Sequence, residues 1–155
     1  MINKMKNMKN LKLLALLCLL GVLFISCKEE KNEWTNFYGY TNQDVVGSYS
    51  RSNMEEAFEG LLESPYCHIC RDAEVNITPS GSKLKIEVKS GSAGLNWSAV
   101  GNPCLNDNDF IMQLGSAPTL DFMATVYTNE DKQVRLHGYV RKNQATNYYF
   151  DVIKE

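Results

Sequence analysis

From residue 73 to residue 89 the side chains alternate between apolar and polar, and this period of two constrains the fold more than any other feature of the chain. Ala73, Val75 and Ile77 alternate with Glu74, Asn76 and Thr78, and Leu84, Ile86 and Val88 alternate with Lys83, Lys85, Glu87 and Lys89. Successive side chains of a strand point to opposite faces, so each run is a strand with one buried face. Pro79-Ser80-Gly81-Ser82 between them reads as a four-residue turn that sets Ile77 opposite Leu84 and Val75 opposite Ile86. Both apolar rows then share one side of an antiparallel hairpin.

The pattern recurs along the chain. Val45 to Ser50 reads as a first strand, and Leu95, Trp97 and Ala99 form the next inward row after the turn Gly91-Ser92-Ala93-Gly94. Phe110 to Leu114 and Leu120 to Tyr127 make two more strands, separated by Gly115-Ser116-Ala117-Pro118, while Gly101 to Asp109 reads as an exposed loop. In the last hairpin, a five-residue loop from Lys142 to Thr146 sets Gly138 opposite Phe150, His137 opposite Asp151 and Tyr139 opposite Tyr149. Between the first two strands, Ser52 or Asn53 offers an N-cap, and Met54, Phe58, Leu61 and Leu62 recur at helical spacing, which predicts one short helix. About eight short strands joined in order by tight turns predict an all-β fold, an antiparallel up-and-down meander closed into a barrel over residues 44–155.

What precedes residue 44 has a different character. Lys4, Lys6, Lys9 and Lys12 lead into an apolar run from Leu13 to Ile25, too short to span a bilayer, and Leu23-Phe24-Ile25-Ser26-Cys27 follows. This resembles a bacterial lipoprotein signal peptide with its lipobox. The resemblance implies cleavage after residue 26, lipidation of Cys27 as the membrane anchor, and a tether over residues 27–43. The cluster Lys28, Glu29, Glu30, Lys31 and Glu33 resembles the tag that sends some lipoproteins to the outer face of the outer membrane; a plain solvated tether, with the domain on the periplasmic side, is the alternative. Trp34, Phe37, Tyr38 and Tyr40 make the tether too aromatic to be only a linker.

Loss of residues 1–26, which hold four lysines and no acid, takes the formal charge from −2 to −6. An acidic domain has no basic footprint with which to neutralise phosphates, so nucleic acid is excluded as a partner. Of the five cysteines, Cys18 belongs to the signal and Cys27 to the anchor, leaving Cys67, Cys70 and Cys104.

Cys67-His68-Ile69-Cys70 is the most chemical-looking stretch. Its two thiols can form a local disulfide, or with His68 hold a soft metal ion, or act in redox chemistry. Gly47-Ser48-Tyr49 resembles the Gly-x-Trp element that opens lipocalin-like barrels, with Tyr49 in the Trp place. Phe58-Glu59-Gly60-Leu61-Leu62 followed by Cys67-His68-Ile69-Cys70 is similar to the start of the NlpE-type copper-resistance lipoproteins. Both resemblances imply a small lipocalin-like barrel, and the second implies copper or redox sensing through Cys67 and Cys70.

Trp97 and Phe122 fall on the inward row and are candidate lining for a ligand cavity, while Tyr127, His137, Tyr139 and Tyr149 fall on the outer face with Arg135 and Arg141, an aromatic and basic strip suited to a sugar or a protein. His137 opposite Asp151 is an oriented imidazole, but no nucleophile is placed beside it, so a cross-strand ion pair is the simpler reading and no enzyme activity is expected. No cofactor is implied. The expectation is an outer-membrane lipoprotein that binds a small apolar ligand in a lipocalin-like barrel. The alternatives are a protein-interaction module (inhibitor, immunity or assembly subunit) and a copper or redox sensor.

Overall fold

The computed structural model describes residues 33–52, 55–112, 121–143 and 145–155. The signal segment, Cys27, Asn53, Met54 and the turn at 115–118 lie outside these residues. In chain order the elements are β1 (Thr35–Asn36), the single-turn helix α1 (Asn42–Val45), β2 (Gly47–Arg51), a 3₁₀ turn (Glu55–Phe58), β3 (Cys67–Ile69), β4 (Glu74–Ser80), β5 (Lys83–Ser90), β6 (Leu95–Gly101), β7 (Cys104–Asn106), β8 (Asp109–Met112), β9 (Phe122–Thr128), β10 (Val134–Lys142) and β11 (Thr146–Lys154).

Nine strands form one curled antiparallel sheet in the order β6-β5-β4-β2-β11-β10-β9-β8-β7. The first long strand, β2, lies between β4 and the last strand, β11, so the meander closes on itself there. The two ends of the sheet, β6 and β7, are consecutive in the chain with only Asn102 and Pro103 between them. Together they act as one bent strand whose first part pairs with β5 and whose second part pairs with β8. Strands that change partner at a bend are how a sheet turns a corner. The all-β barrel-like meander expected from the alternation is thus the fold, with the fourth strand broken in two.

The inward rows are those read from the sequence. Val75, Ile77, Ile86, Val88, Phe110, Phe122, Val126, Leu136, Phe150 and Val152 are at most 1% exposed and form one core. Gly138 faces Phe150, and a Cβ there would fall onto the Met123 carbonyl oxygen and within 2.6 Å of the Ala124 Cα. Glycine is what lets β10 approach β9 so closely.

Four expectations need correction. The β4–β5 turn has two residues, not four: Ser80 pairs with Lys83, Ile77 with Ile86 and Val75 with Val88. Gly81, at φ 64°, takes the first central position, the type II′ arrangement whose twist suits a hairpin. Pro79 then directs its missing N–H away from β5, on the side where β2 has already ended at Ile77, so no ladder bond is lost. The shift by two residues keeps every apolar side chain on the same face.

The helix expected between the first two strands is only the 3₁₀ turn, and Leu62, assigned to its apolar stripe, is 85% exposed. The loop from Gly101 to Asp109 is exposed but contains β7. Finally, part of the expected tether belongs to the domain, which spans Asn32–Glu155 as one compact unit. β1 pairs with β9, Phe37 donates its backbone N–H to the Val126 carbonyl, and Tyr40 is buried. Asp44 accepts the Thr41 backbone N–H and hydroxyl, which closes α1 and holds the Asp44 carboxyl below its ordinary pKa. Tyr49 donates its hydroxyl to the Val45 carbonyl, and burial raises the pKa of that phenol.

Candidate functional site

The sequence-selected residues fall into three separate places. Trp97 and Phe122 meet inside the barrel. Their rings stack with centroids 6.1 Å apart, and Phe122 also contacts Phe110 at 5.8 Å and Phe150 at 5.6 Å. With Phe122 fully buried, ring packs on ring in this stretch of the interior.

Cys67, His68 and Cys70 are not brought together as a bridge or a metal site. All three described cysteines are free thiols. β3 pairs parallel to β11, which makes this stretch extended: Cys67 lies beside Asn147 on the outer face, whereas Cys70 is 1% exposed in the core. Three extended residues cover about 10 Å, beyond the roughly 7 Å that a disulfide can bridge between Cα atoms, and they end on opposite faces. Among the described residues no three His, Cys, Asp or Glu side chains are grouped to hold a metal ion. His68 instead stacks on Tyr148 at 4.9 Å, and burial pushes the Cys70 thiol up to about 11, away from thiolate chemistry.

The third place is the outer face of β9, β10 and β11, and here the expected strip is assembled. The hairpin register sets His137 opposite Asp151, Tyr139 opposite Tyr149 and Arg141 opposite Asn147, and on the other side Arg135 opposite Tyr127 and Tyr139 opposite Met123. Two zones with different chemistry result.

In the first zone, Asp151 is 2% exposed although it points out of the barrel. It accepts the Arg135 Nε–H at 2.7 Å through Oδ1 and the Ser52 hydroxyl through Oδ2. The Arg135 guanidinium lies over the rings of Tyr127 at 5.2 Å and Trp34 at 5.8 Å. His137 has its Nδ1 3.4 Å from Asp151 Oδ1 without making a hydrogen bond, an ion pair only when the imidazole is protonated, and the Phe58 ring lies beside it at 6.3 Å. The face expected to be solvated is therefore roofed by the N-terminal arm and the segment after β2. The Ser52 hydroxyl donates to the Asp151 carboxylate, so Asp151 is held from both sides, by Ser52 and by Arg135.

In the second zone, toward the 142–146 hairpin, the strip is open. Tyr139 and Tyr149 are half-buried with ring centroids 5.6 Å apart and tilted by 52°. Arg141 lies over Tyr139 at 5.8 Å and donates its Nε–H to the Asn147 side-chain carbonyl at 3.0 Å.

Asn147 and Asp121 are not singled out by the sequence, and Trp34, Ser52 and Phe58 read there only as tether, N-cap and helix residues, not as parts of this face. Asn147 was reachable, since the hairpin register that pairs Tyr139 with Tyr149 also pairs Arg141 with Asn147. Among the described residues no helix is long and apolar enough to cross a membrane. No family model, curated protein or solved structure matches this chain in comparisons with known proteins.

Proposed function

We infer that this chain is a lipid-anchored outer-membrane lipoprotein, held by Cys27, whose barrel is a binding module that meets its ligand on the open part of the outer strip. The observation that carries the reading is the contrast between the two faces of one sheet. Inside, Trp97, Phe110, Phe122 and Phe150 stack on one another. Outside, Tyr139, Tyr149, Arg141 and Asn147 are partly accessible and mutually oriented. Preorganised aromatic and planar polar side chains on a rigid sheet form a recognition surface at low entropic cost. This reading sets the ligand on the outside, where the first expectation set a small apolar ligand in the interior.

A protein partner is a second reading. It is favoured by the loop before β3, where Leu62 is 85% and Tyr66 67% exposed. Large apolar side chains presented to solvent are a mark of interaction sites.

The anchor is tested by metabolic labelling with a palmitate analogue and membrane fractionation. Cys27→Ser is expected to lose the label and to leave the membrane fraction, and protease added to intact cells is expected to digest the wild-type chain if the domain faces the exterior. A labelled, membrane-bound Cys27→Ser variant would remove the basis for the anchor.

A further inference from the structure

We propose that the open part of the strip is a saccharide subsite; this rests on the outer-face reading above and names its ligand. Two parallel rows cross the sheet there. One is apolar and aromatic, Met123–Tyr139–Tyr149, and the next is polar, Asp121–Arg141–Asn147, with the Arg141 backbone N–H donating to the Asp121 carbonyl. Side chains on one face are two residues apart along each strand, so the rows lie about 7 Å from each other. A pyranose ring has the same division, with an apolar C–H face and a rim of hydroxyls.

The polar row suits such a rim because its guanidinium and carboxamide carry N–H donors that hydroxyl oxygens accept. Arg141 spends Nε on Asn147 and lies over the Tyr139 ring, which fixes the guanidinium plane and leaves its terminal N–H groups as donors, and Asn147 keeps its amide N–H₂ as a further donor. The charges of Arg141 and Asp121 oppose each other within one row, and the whole chain is acidic, with a formal charge of −2. Charge complementarity thus disfavours a polyanion and favours a neutral sugar. The tilted tyrosine pair offers ring surface for the C–H face with little rotamer freedom left to lose.

The test is binding of the mature lipidated chain, in detergent micelles, to a printed array of neutral and acidic oligosaccharides, followed by calorimetric titration with the strongest neutral binder. Tyr149→Ala and Arg141→Ala are each expected to weaken that binding about tenfold, the effect of losing roughly 1.4 kcal/mol of contact, while Tyr149→Phe retains most of it and guards against misfolding of the alanine variant. Binding confined to acidic glycans, or neutral binding untouched by Arg141→Ala and Tyr149→Ala, overturns the proposal. In parallel, a photo-crosslinking side chain is placed by Tyr139→p-benzoylphenylalanine in living cells. A blank array with a protein crosslinked at position 139 sinks the saccharide but leaves the outer-face reading standing; a blank array with no crosslink sinks both.

Discussion

The β4–β5 hairpin and the β10–β11 hairpin are built on the same alternation, yet their outer faces have opposite fates. On β5, Lys85 and Glu87 form an ion pair of 3.0 Å with side chains 41% and 30% exposed. On β10 and β11, Arg135 and Asp151 form an ion pair of 2.7 Å with side chains 9% and 0% exposed. Neither strand differs from the other in pattern. What differs is what lies on top: Trp34 from the N-terminal arm and Phe58 from the segment after β2 lie against the second hairpin. Alternation tells which side chains leave the barrel; it does not tell whether they reach water.

The energetics of the two pairs follow from that cover, and substitutions should separate them widely. Asp151→Ala leaves the Arg135 guanidinium buried without its counter-charge and is expected to cost about 3–5 kcal/mol, read as a lower denaturant midpoint. A loss below about 1 kcal/mol would mean that the roof opens readily and lets water reach Arg135. Gly138→Ala is expected to cost about 3 kcal/mol through overpacking of a Cβ against the β9 backbone. No glycine of the β4–β5 hairpin lies in a strand, so no equivalent position exists there. Glu87→Ala, at the exposed pair, is expected to change stability by no more than about 0.5 kcal/mol in the same assay.

Near the β4–β5 hairpin the electrostatics are local. Asp72 accepts from the Ser90 hydroxyl at 2.5 Å, the Ser92 hydroxyl at 2.5 Å and the Ser92 backbone N–H at 2.8 Å, and these bonds hold its carboxyl well below the usual carboxylate range. A depressed folded-state pKa stabilises above the unfolded pKa, near 3.9, and that contribution is lost as pH falls below it. Asp72→Asn is therefore expected to flatten the stability curve below about pH 4 and leave its shape at neutral pH unchanged. An unaltered acid limb would show that these bonds are equally strong to the protonated carboxyl. Thiol labelling gives the smallest effect in energy: exposed Cys104 should react with iodoacetamide at pH 8 well before Cys70, which is buried and has its thiol pKa raised to about 11.

Period two was legible wherever one face is buried, and it carried the inward rows, while the strand order and the register of the last hairpin came from the turns and loop lengths between strands. The pairing of Tyr139 with Tyr149 followed from loop length alone. The β4–β5 turn was not legible in detail because a register shift of two leaves the burial pattern unchanged, so the apolar residues could not choose between turns. The bend at Asn102-Pro103 was hidden because Cys104 to Asn106 are exposed on both faces and carry no alternation. Cys-x-x-Cys misled for a related reason: spacing along the sequence fixes proximity only when the local conformation is known, and β3 is extended by its pairing with a strand some eighty residues away. The roof over Arg135 and Asp151 depends on contacts more than a hundred residues apart in one case, Trp34 with Arg135, which no local pattern encodes.

The central claim is that the barrel works from its outer face while its interior is occupied by its own rings. The most direct measurement is Trp97 fluorescence, read in a Trp34→Phe background so that one indole reports, during titration of the folded protein with an apolar contact quencher such as 1-bromooctane. Trp97 stacks on Phe122, so a ligand entering the interior must disturb it. The account predicts no saturable change in Trp97 emission. Saturable quenching that disappears with Phe122→Ala would place the ligand inside and contradict it.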